Sequence, residues 1–177
     1  QDEGTIKLDG SFIENTPSYK RSNRGIGRTY QTSLRSSGLD VYQAILACSS
    51  NKHSLEHRDN RTHAILRNSQ LTSKIGSMVG DLSTADAREL DLCMALATEP
   101  KILLLDEPAA GLSSAEQQFL SAKIDQLAKS GISILIVDHS MDFLLPVVDH
   151  LICLDQGSVV AEGTPAEVLA DPKALEL

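Results

Sequence analysis

Asp106 and Glu107 stand side by side at the end of an aliphatic run, Ile102-Leu103-Leu104-Leu105. Two carboxylates in that position are costly to bury unless a cation or hydrogen-bond donors meet them. Further on, a second aliphatic run, Ile132 to Val137, ends in Asp138-His139. In an open parallel sheet, ligands sit beyond the carboxyl ends of the strands, so the two pairs could share one site. An aspartate there can hold magnesium through water, and a glutamate one residue later can orient and deprotonate a water. A histidine on the next strand can reach a terminal phosphate. This is a layout for phosphoryl transfer, where positioning and charge stabilisation do most of the catalysis. The plainer alternative is that Asp106 caps a turn and His139 begins a helix. A triphosphate also needs a cradle, and the pattern G-x-x-x-x-G-K-[ST] is absent: none of the eleven glycines is followed by lysine.

The elements that must hold these residues are clearest in the second half. Ser83 is placed to cap a helix running to about Thr98, ended by Pro100. Ile102 to Leu105 and Ile132 to Val137 read as strands buried on both faces. Between them Ser113-Ser114-Ala115-Glu116 has the form of a capping box. It opens a helix with Leu120, Ile124 and Leu127 on one face and Gly131 as its stop. A short helical stretch follows His139, residues 150–163 read as a hairpin around Gln156-Gly157, and Thr164-Pro165 opens a last helix. The first half is less regular. Thr5 to Leu8 is a strand candidate closed by Asp9-Gly10, residues 14–37 are polar and loop-like, and Leu39 to Ala47 has helical spacing. From Cys48 to Thr62 the chain is strongly polar, and a helix is predicted from His63 to Leu71. Strand, helix, strand, helix, strand is the rhythm of an α/β layered domain.

Composition agrees. The 177 residues suffice for one ordinary domain, and 41% hydrophobic with 23% charged residues reads as globular. A net charge of -8 excludes a nucleic-acid binder that depends on a basic face. Cys48, Cys93 and Cys153 are distant and odd in number, which fits reduced thiols in a cytosol. No apolar run is long enough to cross a bilayer, and the first residues carry no export signal.

Several ordered segments resemble the ATPases of ATP-binding-cassette (ABC) transporters. ILLLDEP at 102–108 is similar to their Walker B segment and AAGLSS at 109–114 to their D-loop. VDHSMD at 137–142 resembles their switch histidine, RGIGRTYQ at 24–31 their Q-loop, and LDQGSVVAEGTPAEVLADP their closing hairpin and helix. The wording of DEPAAGL and GIGRTYQ is most similar to the branched-chain amino-acid uptake subgroup. The resemblance implies a P-loop NTPase-like α/β core, mostly parallel, with a helical subdomain. It divides the chain into a remnant of the N-terminal β part over 1–30, a helical subdomain with the signature helix over 31–98, and the α/β core over 99–177. It also implies that the P-loop belongs upstream of this stretch. A core lacking that central strand would have two unpartnered edges, so self-association or rearrangement is expected.

By position, the resemblance gives Asp106 to Mg²⁺, Glu107 to the attacking water, His139 to the γ-phosphate of ATP, and Gln31 to sensing metal and water. It implies a second ABC ATPase chain, the same or different, and membrane permease subunits as partners, with no nucleic acid. The place implied is the cytoplasmic side of the plasma membrane, held peripherally. The isolated chain is expected to be inactive. Ser113 stands where the D-loop usually has Asp or Asn. The signature L-S-G-G-Q, which offers a helix N-terminus to a phosphate, reads Leu82-Ser83-Thr84-Ala85-Asp86 here. Glu89 and Met94 stand where the family usually has arginines. A carboxylate at Asp86 should repel a phosphate: like charges ~5 Å apart at an effective dielectric of about 20 cost on the order of 3 kcal/mol. Ser83 and Asp86 also make an ordinary helix cap. A missing cradle beside an altered signature suits a second reading, a natural non-catalytic partner.

Two further signals stand outside this scheme. His53-Ser54-Leu55-Glu56-His57 matches H-x-x-E-H, in which two histidines would bind zinc and Glu56 would act as base. Its flanks carry no apolar face, so a solvated loop or exposed helix is the expectation. Lys20, Arg21, Arg24 and Arg28 form a small basic cluster, expected on a solvated loop.

Overall fold

A computed structural model describes residues 4–29, 38–50 and 53–174. The chain opens with a minimal hairpin, β1 (Lys7–Leu8) and β2 (Ser11–Phe12), turned by Asp9 and Gly10, both at positive φ. A five-residue helix, α1 (Ser18–Ser22), leads into β3 (Ile26–Arg28). Both elements fall in the stretch expected to be loop. β3 is too short for its pattern to stand out, and its middle residue is a glycine for a packing reason. A Cβ at Gly27 would lie 3.1 Å from the Ala95 carbonyl oxygen and 3.0 Å from Pro100.

The helical part follows: α2 (Val41–Cys48), α3 (Leu55–Arg67), two 3-10 turns, and α4 (Thr84–Ala97). α3 begins eight residues before the predicted His63 start, Leu55 against His63. Ser54 caps it by accepting from the His57 amide, and Thr62 and Leu66 bury one narrow stripe. Polar composition hid a helix that needs only that stripe to dock. α4 buries nine of its fourteen residues, more than a surface helix with one apolar face would. One side packs with Val41, Ile45, Leu66 and Leu71. The other packs with Leu103, Leu105, Ile124 and Phe143. It is therefore the spine shared by two cores.

Beyond α4 come β4 (Ile102–Asp106), α5 (Ser114–Lys129), β5 (Ser133–Val137), α6 (Met141–Leu144), β6 (Leu151–Asp155), β7 (Ser158–Gly163) and α7 (Pro165–Ala170). The sheet β3-β4-β5 is parallel throughout, with Asp106 opposite Val137. Helix α5 is the crossover between β4 and β5, as the sequence rhythm predicts. The capping box at Ser113 and Glu116 is present, as is the Gln156-Gly157 hairpin turn.

One expectation fails. β5 is not buried on both faces: Leu135 is 54% and Val137 60% exposed. Among the described residues it pairs with β4 alone, while β6 pairs with β7 in a separate antiparallel ribbon. Ile152 and Leu154 on β6 are likewise exposed.

Candidate functional site

The site is assembled where β4 and β5 end. Because the strands are parallel and in register, Asp106-Glu107 and Asp138-His139 leave the sheet from the same edge. The Asp106 amide donates to Thr29 Oγ1 at 3.4 Å, and its carboxylate faces Arg28 Nη2 at 3.5 Å. Arg28 thus lies on a strand beside the acid and not in a solvated basic loop, correcting the expectation for that residue. The pair is half exposed, so it positions the groups more than it stabilises the fold.

Glu107 takes a left-handed backbone, φ 45°, and its amide donates to the Val137 carbonyl at 2.8 Å. A non-glycine residue in that region costs of order 1–3 kcal/mol and persists only where its surroundings enforce it. Here the enforcing bond comes from the neighbouring strand end. Asp138 completes the tie. Its side chain is only 1% exposed and accepts from the Ala109 amide at 3.2 Å and the Ser140 amide at 2.9 Å. The loop after β4 and the loop after β5 are therefore fastened through one carboxylate. His139, by contrast, is 80% exposed, with Nδ1 3.9 Å from Asp138. The sequence placed Asp138 at a strand end, but its locking role depends on a partner 29 residues away.

The segment Ala109 to Leu112 runs on to Ser113, which caps α5 and bonds Glu116 through both amide and hydroxyl. At Gly111, φ 76°, an added Cβ would lie 3.9 Å from Thr84 Cγ2. So the D-loop-like turn and the first turn of α4 are neighbours. Thr29, Ala85, Arg88, Asp106, Pro108 and Glu116 line one shallow cleft between them.

At the start of α4, Ser83 caps the helix by accepting from the Asp86 amide at 3.2 Å. The Ser83 hydroxyl and Lys74 Nζ both donate to Asp86 Oδ2. Burial alone would raise the Asp86 carboxyl. The hydrogen bonds from Lys74 and Ser83 outweigh it and hold the group below its ordinary range. A lone carboxylate would repel a phosphate; with Lys74 against it, the pair presents little net charge. Glu89, expected as an arginine position, is buried and pairs with Lys123 of α5. Lys123 escaped notice because it lies beside the apolar stripe of α5, where a long charged side chain reads as solvent-facing. Gln31 lies outside the described residues.

The donor set fits half of a metal–triphosphate. Asp106 and Glu107 offer hard oxygen donors, the type a hydrated Mg²⁺ takes, and His139 follows the neighbouring strand with its ring 80% exposed. The other half has no counterpart, since the sequence holds no glycine-lysine pair for a phosphate cradle.

A model of the family described as ABC transporter matches residues 1–110. The lipopolysaccharide export system ATP-binding protein LptB of Escherichia coli K12 is 32% identical over 173 residues, covering 97% of this chain and 72% of that protein. The chain belongs to the ABC transporter ATP-binding family.

Other ABC relatives include the high-affinity branched-chain amino acid transport ATP-binding protein BraF of Pseudomonas aeruginosa. It is 28% identical over 98% of this chain and 74% of its own length. Among solved structures, the ATP-binding cassette MJ1267 of an ABC transporter superposes with a TM-score of 0.87 at 27% identity. That match covers 99% of this chain and 76% of that one. The α/β fold with a parallel sheet is therefore that of an ABC ATPase cassette. Membership makes ATP or ADP the ligand class, and the relatives span both lipopolysaccharide export and amino-acid transport. Among the described residues, no helix is long and apolar enough to cross a membrane.

Proposed function

We propose that this ABC ATP-binding subunit serves an importer of branched-chain or related amino acids, and that its strand ends supply the metal-and-water half of a Mg²⁺·ATP site. Asp106 holds the magnesium through water, Glu107 polarises the attacking water, and His139 contacts the γ-phosphate. Gln31 links the metal to the membrane partner. Ser83, Thr84, Ala85 and Asp86, with Ser113, face the nucleotide held by a second ATPase chain. The observation that carries the site reading is the in-register pairing of β4 with β5, which brings Asp106-Glu107 and Asp138-His139 out at the same carboxyl end of the sheet. Residues 31–98 act as the helical subdomain that meets the permeases, and 99–177 as the core. The complex sits peripherally on the cytoplasmic face of the plasma membrane.

The amino-acid assignment is supported by the resemblance to BraF and to the probable branched-chain amino acid transport ATP-binding protein LivG of Archaeoglobus fulgidus, 29% identical over 99% of this chain. A second reading, service to a lipopolysaccharide exporter, is favoured by the LptB match. Uptake of radiolabelled leucine by cells lacking the gene separates them. Loss of uptake is expected, and unchanged uptake would contradict the importer reading.

A further inference from the structure

The H-x-x-E-H stretch is left unused by the ATPase chemistry, yet its two histidines converge. Ser54 caps α3, so His53 lies just before the helix and His57 in its first turn. Their rings stack with centroids 4.3 Å apart and an interplanar angle of 28°, so they must turn out of the stack for both in-plane lone pairs to meet one ion. Glu56, the residue expected as a base, is exposed and outside the cluster. The third member is Glu99, just beyond the end of α4, turned by a left-handed backbone with φ 56°. Its two oxygens meet the two rings: Oε1 lies 3.3 Å from His57 Nε2, and Oε2 lies 3.5 Å from His53 Nε2. All three donors lie within 4.8 Å of one another.

His57 Nε2 and Glu99 Oε1 stand at the outer limit of a hydrogen bond from a neutral ring N–H. Charge-assisted hydrogen bonds from imidazolium to carboxylate close to about 2.7–2.9 Å, shorter than either contact. Two imidazolium rings stacked face to face would also repel each other. Ligands bound at about 2.0–2.1 Å around a tetrahedral ion are separated by roughly 3.3–3.4 Å, close to the two imidazole–carboxylate contacts. Two imidazoles and one carboxylate are the donors that zinc takes when a fourth position is left open.

A supporting layer is also in place. Arg61 Nη2 donates to the Leu96 carbonyl at 3.0 Å, which places its charge, with Nε 3.6 Å from Glu99 Oε1, beside the carboxylate without a hydrogen bond to it. That guanidinium also reduces the site's negative charge and so moderates its affinity. His53 and Glu99 form part of the wall of a cleft of about 890 Å³ open to solvent, from which water can reach the fourth position. Lys101 on the same wall is occupied by Asp9 at 2.9 Å.

We propose that His53 Nε2, His57 Nε2 and the Glu99 carboxylate bind one Zn²⁺ ion, with water as fourth ligand. The ion clamps the start of α3 to the end of α4. No hydrolytic role is assigned to it, and the site does not depend on the nucleotide chemistry.

The test is calorimetric titration of ZnCl₂ into the tag-free, metal-stripped chain, alongside His57→Ala, Glu99→Gln and the double His53→Ala/His57→Ala. Helical content by circular dichroism checks that each variant folds; both rings are substantially exposed, so folding should survive. One equivalent should bind to the parent chain. Affinity should drop at least about tenfold in each single variant and be undetectable in the double variant. Added zinc should raise the melting temperature of the parent but not of the double variant. Should Glu99→Gln itself disturb packing, the Co²⁺ spectrum of the parent provides an independent reading, with strong visible bands expected for four-coordinate N/O ligation. No binding, or binding equal in the parent and the double variant, would overturn the proposal.

Discussion

Lys123 and Glu89 illustrate how much of the contact between α4 and α5 is settled by single side chains. Both are about nine-tenths buried, one on α5 and one on α4, and they face each other. Removing one partner from such a pair strands a charge and costs ~3–5 kcal/mol, whereas replacing both by apolar residues is often neutral. Lys123→Met should therefore lower the urea midpoint strongly, and Lys123→Met with Glu89→Leu should restore most of the loss. An equal loss in the double variant would contradict the pairing. The same logic explains what the sequence concealed. The strand ends that carry Asp106, Glu107 and His139 were legible because an apolar run stops at each. Lys74, Lys123 and Glu99 were not, since each takes its meaning from a residue on another element, and one sequence carries no trace of those contacts.

At the scale of elements, the local signals were the most readable. Ser83, Ser113 and Thr164 all cap helices as expected, and the cap carboxylates carry a pH signature. Asp86 is held low despite its burial, by Lys74 and Ser83. Glu116 is held low first by the Ser113 hydroxyl, and Glu167 first by the Thr164 amide. A carboxyl depressed by folding contributes stability that is complete above its unfolded value and lost as pH falls through the folded one. The urea midpoint should thus hold from neutrality to roughly pH 5 and fall progressively below about pH 4. Glu116→Gln with Glu167→Gln keeps an acceptor at each cap, so it should fall less steeply, and an unchanged slope would argue against the caps. The misread elements fail for physical reasons as well. β3 has three residues and no visible period, and α3 fully buries only Thr62 and Leu66, with Ile65 packed beside them.

For the whole molecule, the consequential feature is the apolar surface left on β5 and on the β6-β7 ribbon. Leu135 and Val137 on β5, and Leu154 on β6, are each more than half exposed. Unpaired strand edges with apolar side chains template association. Sedimentation of the 177-residue chain should show self-association that weakens in Leu135→Lys with Val137→Lys; a monomer at all concentrations would contradict this. The apolar run from Ile132 to Val137 predicted β5 as buried because it reports what a strand is built to face, whatever its partners.

The central claim is that the strand ends at 106–107 and 138–139 handle a metal–triphosphate that these 177 residues do not grip alone. Its most direct test is steady-state ATP hydrolysis by the chain as it stands and by the chain joined behind a strand bearing G-x-x-x-x-G-K-[ST]. The unjoined chain should show only background. Turnover should appear on joining and fall by about 10²–10⁴-fold in Glu107→Gln, the range expected for loss of a general base. Hydrolysis by the unjoined chain that vanishes in Glu107→Gln, or joined-chain turnover indifferent to that substitution, would contradict the account.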